Sequence, residues 1–74
     1  LVAHDMSLAT LVEELSRYHP TEIFIAEPAL GGTSISGVFL LDDLDGILLA
    51  LEHTVGVRGV QLEDGSIQLI RAPL

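Results

Sequence analysis

The chain has 74 residues, of which 49% are hydrophobic and only 4% aromatic, so it can build one small and mainly aliphatic core. Three basic residues stand against eleven acidic ones, and the formal net charge of −8 disfavours contact with nucleic acid or with an anionic membrane surface. Cysteine is absent, which excludes disulfides, thiolate catalysis and cysteine-ligated zinc.

The first predicted elements are a short strand and a helix. Residues 1–3 indicate the end of a strand, and Ser7 is a suitable N-cap for a helix over Leu8–Tyr18. Pro20 ends this helix because the residue before a proline avoids helical angles. The apolar positions recur at helical spacing and predict one buried stripe: Leu8, Leu11, Val12, Leu15 and, extending it, Tyr18.

A second strand is predicted over residues 22–26, where apolar side chains alternate. Ile23 and Ile25 point to one side of it and Phe24 to the other. Residues 27–32, which contain proline and two glycines, indicate a turn or loop.

The stretch from residue 33 to residue 56 predicts a strand followed by a helix. β-Branched and aromatic residues favour a strand over residues 33–39, and Asp43 is the expected N-cap of the helix. Gly56 is the expected residue just beyond its end. The apolar stripe of this helix consists of Leu44, Ile47, Leu48 and Leu51.

The last predicted element is a hairpin. Residues 57–62 form its first strand, with Val60 and Leu62 on one face, and the Asp-Gly pair at 64–65 marks its turn. In the second strand Ile67 and Leu69 face the core, whereas Gln68 and Ile70 face outward. We expect residues 71–74 to form a tail.

These elements predict an α+β fold, with two helices sandwiched between a two-stranded and a three-stranded β-sheet. A shift of 36 residues places the first apolar stripe on the second and Ser7 on Asp43, which suggests two βαβ-like halves. Any two amphipathic helices match in this way, so the repeat stays one of two interpretations. We expect the first strand to pair with residues 33–39, and the other three strands to form the second sheet.

The acidic turn before the second helix has a partial likeness to a calcium-binding loop. Asp43, Asp45, Gly46 and Glu52 match four positions of an EF-hand loop, but Leu41 occupies the first ligand position. The same window carries the helical stripe, and a helix cannot serve as such a loop. A helix cap is therefore the favoured interpretation.

No catalytic, cofactor-binding or metal-binding residues are predicted. His4, His19 and His53 lack metal-ligand spacing, and no serine lies in a nucleophile-elbow context. A domain of this size has little room for a deep pocket. A small hydrolase or metal-binding domain is the rival interpretation, which convergence of the histidines with carboxylates would favour.

Binding through a surface or a strand edge is the remaining possibility. Phe24 and Ile70 are apolar side chains predicted to face outward, and an apolar patch on a sheet typically marks a partner site. With the neighbouring Gln68 and Arg71 they form the predicted partner-binding set. A small open sheet also has unpaired edges, to which a partner strand can add.

Several short motifs occur in order along the chain: Leu8-x-x-Leu-Val-x-x-Leu15, Arg17-Tyr18, Glu27-Pro28-Ala29-Leu30, Ile35-Ser36-Gly37-Val38-Phe39 and Asp42-Asp43. Together they resemble the C-terminal periplasmic region of FecR-type anti-sigma regulators, which is similar to the short secretin and TonB N-terminal (STN) domain. The likeness covers nearly the whole chain. Two departures are Leu44, where proline is common, and Gly46, where alanine is usual.

The resemblance implies a non-enzymatic periplasmic signalling domain, residues 1–74, within a longer single-pass inner-membrane protein. The implied partners are the signalling domain of a TonB-dependent outer-membrane siderophore transducer and, through a cytoplasmic region outside this chain, an extracytoplasmic-function sigma factor. The alternative is the N-terminal signalling domain of the transducer itself, or the N-terminal periplasmic domain of a secretin. The start at Leu1 and the short segment after the last strand lead us to expect a C-terminal fragment of a regulator.

Overall fold

The computed structural model describes residues 1–72 and has the predicted α+β fold. A 3₁₀ helix at Pro28–Gly32 separates β2 from β3. The strands and helices, in chain order, are β1 (Val2–Ser7), α1 (Leu8–Tyr18), β2 (Ile23–Ile25), β3 (Ser34–Val38), α2 (Leu44–Val55), β4 (Val57–Gln61) and β5 (Ile67–Arg71).

The five strands form two sheets, as predicted. β1 pairs with β3 in an antiparallel two-stranded sheet, and the other sheet has the order β2-β5-β4. β5 runs parallel to β2 and antiparallel to β4. Each helix therefore follows a strand of the two-stranded sheet and precedes a strand of the three-stranded one, which is the arrangement of two βαβ-like halves.

One aliphatic core joins both helices and both sheets. Leu8, Leu11 and Leu15 of α1 are at most 1% exposed, and so is Leu51 of α2. Such side chains each contribute about 1.5–3 kcal/mol when fully buried. The core is made of Ala3, Leu8, Leu11, Leu15, Ile23, Leu30, Ile35, Phe39, Ile47, Leu51, Val57, Ile67 and Leu69.

The first strand is longer than predicted and contains a bulge. It continues to Ser7, and two of its residues, His4 and Asp5, lie opposite the single residue Ser36 of β3. Asp5 has a positive φ of 52°, and its carboxylate accepts a hydrogen bond from the Ser34 hydroxyl at 3.0 Å. The bulge interrupts the alternation of side chains, which is why periodicity does not show the strand.

Tyr18 does not extend the buried stripe of α1, contrary to the prediction. Its side chain lies at the last helical residue, beyond the core, and is 58% exposed. The ring packs edge-on against His19, with 5.3 Å between the ring centroids. The stripe of α1 thus ends at Leu15.

Two further segments are more ordered than predicted. The turn at 27–32 forms the 3₁₀ helix, which buries Leu30 at 5% exposure. Arg71 belongs to β5 because it lies opposite Val57, and the next amide, that of Ala72, donates to the Gly56 carbonyl at 2.7 Å. The rest of the predicted tail, 73–74, lies outside the described residues.

Both predicted helix caps are present. The Ser7 hydroxyl accepts a hydrogen bond from the Thr10 amide at 3.2 Å, and the Asp43 carboxylate accepts one from the Gly46 amide at 3.1 Å. Gly56 ends α2 in the left-handed region, at φ 69°. The Asp43 carboxylate therefore caps α2, which confirms the helix-cap interpretation of the acidic turn.

Gly46→Ala is expected to leave stability nearly unchanged. Alanine favours the helix by about 1 kcal/mol over glycine. However, its Cβ would overlap the Asp43 carboxylate, and loss of an N-cap costs about 1 kcal/mol. In an Asp43→Ala background, which has no cap to lose, the same change should stabilise the chain by about 1 kcal/mol. Urea denaturation of the four chains measures both effects, and equal effects in the two backgrounds would contradict the explanation.

Candidate interaction surface

The side of the three-stranded sheet that faces away from the helices carries a mixed apolar and polar surface, which we call the outer sheet face. Its five side chains are neither fully buried nor fully exposed. They occupy alternate positions on all three strands, because the core-facing positions between them belong to Ile23, Ile67 and Leu69. The outer sheet face consists of Phe24, Arg58, Val60, Gln68 and Ile70.

The structure brings together three of the four residues predicted to bind a partner. Phe24 of β2 lies directly opposite Gln68 of β5, and Ile70 follows two residues further along the same face. Arg71 points to the other side of the sheet, at the end of β5. Its guanidinium Nη2 lies 3.9 Å from the Glu27 carboxylate.

The other two members of the outer sheet face come from β4. Val60 lies opposite Gln68, and Arg58 lies opposite Ile70. The positions of both residues could be predicted from the hairpin turn. Gly65, with a φ of 89°, closes a three-residue loop in which the Leu62 amide donates to the Ser66 carbonyl. Counting back from that turn gives the register and places Val60 beside Gln68.

Arg58 is held in place by a carboxylate from α2. Its Nε donates to Oε1 of Glu52 at 2.8 Å, and both side chains are partly exposed. A half-exposed ion pair of this kind contributes about 1 kcal/mol or less to stability. Its effect on the surface is to neutralise the one cation of the outer sheet face, which leaves that face mainly apolar at its centre.

The three-stranded sheet also has two open edges within the described residues, since β2 and β4 each pair only with β5. Leu62 and Gly56, which flank β4, are hydrogen-bonded to Ser66 and Ala72 on the β5 side. Hydrogen-bonded and non-hydrogen-bonded pairs alternate along an antiparallel pair of strands, so within β4 the residues hydrogen-bonded to β5 are Arg58 and Val60. The main-chain groups of Val57, Gly59 and Gln61 therefore point away from β5 and form the edge.

The histidines do not gather into a site. His4 and His53 are exposed, whereas Nε2–H of His19 donates to the Leu41 carbonyl at 2.5 Å and ties the end of α1 to the segment before α2. Among residues 1–72 no group of three or more histidine, aspartate or glutamate side chains is arranged to hold a metal ion. The separation of the histidines counts against the rival hydrolase or metal-binding interpretation.

A hollow of about 400 Å³ lies beside the hairpin turn and is lined by Glu22, Asp64 and Ser66, among others. Asp64 accepts hydrogen bonds from the Ser66 hydroxyl at 2.6 Å and the Ser66 amide at 2.9 Å. These bonds lower the pKa of the Asp64 carboxyl below its ordinary value. The carboxylate thus stabilises the turn and does not have the raised pKa of a general acid.

Neither helix has the length and apolar character needed to cross a membrane, over the part of the chain that the structure describes.

Comparison with known proteins gives the family. The FecR C-terminal family matches residues 1–69, which is nearly the whole chain, and the chain belongs to that family. The crystal structure of a candidate anti-sigma factor from Parabacteroides distasonis has the same fold, with a TM-score of 0.84 at 20% sequence identity. The match covers 99% of this chain and 34% of that protein, so the chain spans about a third of its length. No curated protein sequence matches the chain.

Proposed function

We propose that the chain is the periplasmic protein-interaction domain of a transmembrane anti-sigma regulator, and that it acts without catalysis. In this role it receives a signal from the signalling domain of a TonB-dependent outer-membrane siderophore transducer. A cytoplasmic region of the same protein then controls an extracytoplasmic-function sigma factor. Membership of the FecR C-terminal family supports a regulator, and the outer sheet face supports binding.

The observation that carries the binding proposal is the cluster of Phe24, Gln68 and Ile70 on one face. Aromatic and aliphatic side chains that sit together around a polar residue form the usual centre of a protein interface. A half-buried position also limits the side-chain entropy lost on binding, because the neighbours already restrict the rotamers. Arg71, at the end of β5, has its side chain on the other side of the sheet and is not part of this cluster.

The open edge of β4 lies beside the outer sheet face and gives the partner a second mode of contact. Three residues of β4 present main-chain donors and acceptors there, and an added strand would continue the sheet. We propose that the transducer domain covers the outer sheet face and extends to this edge.

Titration of the chain with the signalling domain of the genomically neighbouring transducer tests the proposal. Phe24→Ser and Ile70→Ser should each weaken binding about tenfold, because they remove the apolar centre of the surface. Tyr18→Ser is the matched control, since Tyr18 is an exposed aromatic residue away from this face. Backbone amide NMR shifts should map to β2, β4 and β5.

Partial unfolding of a serine variant would complicate that result, so Gln68→Glu is included as a second variant. It keeps the packing of its apolar neighbours and places a charge at the centre of the contact, where it should weaken binding about tenfold. Normal binding by all three folded variants, or shifts confined to the two-stranded sheet, would contradict the proposed surface.

A further inference from the structure

Three exposed apolar side chains form a continuous ridge at one end of the two-stranded sheet. Val2 and Val38 are cross-strand partners and are 74% and 75% exposed. Leu40, two residues after Val38, is 66% exposed. Single exposed apolar residues are normal, but a group of adjacent ones indicates a contact surface. We call these three residues the apolar ridge.

A groove of about 200 Å³ separates the apolar ridge from α2. Val38 and Leu40 line one side of it, and Gly46 and Ala50 line the helix side, with Asp43 among the lining residues. Gly46 has no side chain and Ala50 has only a methyl group, so no bulky side chain from α2 fills the groove. The groove is large enough for one aliphatic side chain.

The charges around the groove indicate the chemistry of its occupant. All three arginines of the chain already face a carboxylate, in the pairs Arg17–Glu14, Arg58–Glu52 and Arg71–Glu27. The other eight of the eleven acidic residues have no arginine partner within residues 1–72. Three of these eight lie within five residues after Leu40, at the start of α2: Asp42, Asp43, which lines the groove, and Asp45.

We propose that this groove binds a basic segment of a partner protein, in which an aliphatic side chain enters the groove and adjacent lysine or arginine side chains face the aspartates. A second copy of the chain does not fit, since its own net charge is −8 and its arginines are already paired. The proposal rests on the proposed role in protein binding, but the site is separate from the outer sheet face.

The test uses two capped synthetic peptides, acetyl-Arg-Leu-Arg-Leu-Arg-amide and the same sequence with glutamate in place of arginine. The arginine peptide should shift the amide resonances of Val38, Leu40, Gly46 and Ala50, and should bind at least tenfold more tightly than the glutamate peptide. Its affinity should fall as salt is raised. Equal binding of the two peptides, absence of binding, or shifts on another surface would each overturn the proposal.

Matched variants separate a specific groove from general attraction to an acidic chain. Leu40→Ser should weaken binding of the arginine peptide about tenfold, whereas Leu49→Ser, at a 58% exposed residue of α2 outside the groove, should change it less than twofold. The double variant Asp42→Asn/Asp45→Asn should weaken it about fivefold. Glu13→Gln/Glu63→Gln removes the same charge elsewhere and should have less than half that effect.

The peptide result and the transducer result are independent measurements. Peptide binding in the groove without transducer binding would contradict the proposed function and leave the groove as a site for another basic partner. Transducer binding with no peptide binding would contradict the groove alone. Equal loss of peptide affinity in Asp42→Asn/Asp45→Asn and in Glu13→Gln/Glu63→Gln would also overturn the proposed groove site, because peptide binding would then depend only on net charge.

Discussion

Leu51→Ala is expected to lower the free energy of unfolding by about 2–5 kcal/mol, the largest effect of any single change considered for this chain. Leu51 lies in the second half of α2 and is 1% exposed within the aliphatic core. A domain of this length has a total stability of roughly 4–11 kcal/mol. The variant should therefore lose a large part of that stability and unfold at a clearly lower urea concentration than the parent chain.

Leu49→Ala is the control for this prediction. Leu49 lies two residues away on the same helix but is 58% exposed, so its truncation should change stability by less than about 0.5 kcal/mol. Both substitutions exchange leucine for a better helix former, and the difference between them reports burial alone. Urea denaturation followed by circular dichroism measures it, and similar losses for the two variants would show that α2 does not pack as described.

Gly59→Val is expected to destabilise the chain by about 1–3 kcal/mol, although valine is a much better strand former than glycine. A Cβ at this position would lie 3.0 and 3.1 Å from the two methyl groups of Leu48 and 3.3 Å from Cγ2 of Ile67. The glycine thus lies where Leu48 of α2 packs directly against β4, and a side chain at this position overpacks the core.

A double-mutant cycle with Leu48→Ala tests that explanation. Removal of the Leu48 methyl groups creates space, so in this background Gly59→Val should cost less than half of what it costs alone. Residues in contact commonly show coupling energies of about 0.5–3 kcal/mol in such cycles. If the valine costs the same in both backgrounds, the destabilisation has a cause other than contact with α2.

The local elements of this fold were predictable because each has a local chemical cause. The α1 stripe and its Ser7 cap lie within one short segment, and so do Asp43 and the start of α2. The hairpin turn at Asp64 and Gly65 fixes the register of β4 against β5 over a few residues. In each case the interacting groups are close in sequence, and capping, periodicity and turn chemistry are sufficient.

The features that the sequence did not reveal depend on contacts between distant residues. Phe24 lies beside Gln68 only because β2 and β5 pair in parallel, and nothing near either residue sets that register. The apolar ridge has the same origin, since Val2 and Val38 meet across a pairing that includes a bulge. Val60 differs from these residues, because the hairpin turn sets its register and places it beside Gln68.

The position of β5 has a consequence for how the chain reaches this fold. The last strand of the sequence is the middle strand of its sheet, and within the described residues β2 and β4 have no other strand to pair with. A chain that ends at residue 62 can form both helices and the two-stranded sheet, yet β2 and β4 remain unpaired. The three-stranded sheet therefore forms only once residues 67–71 are available, and a truncation before Ile67 should remove both of its strand pairings.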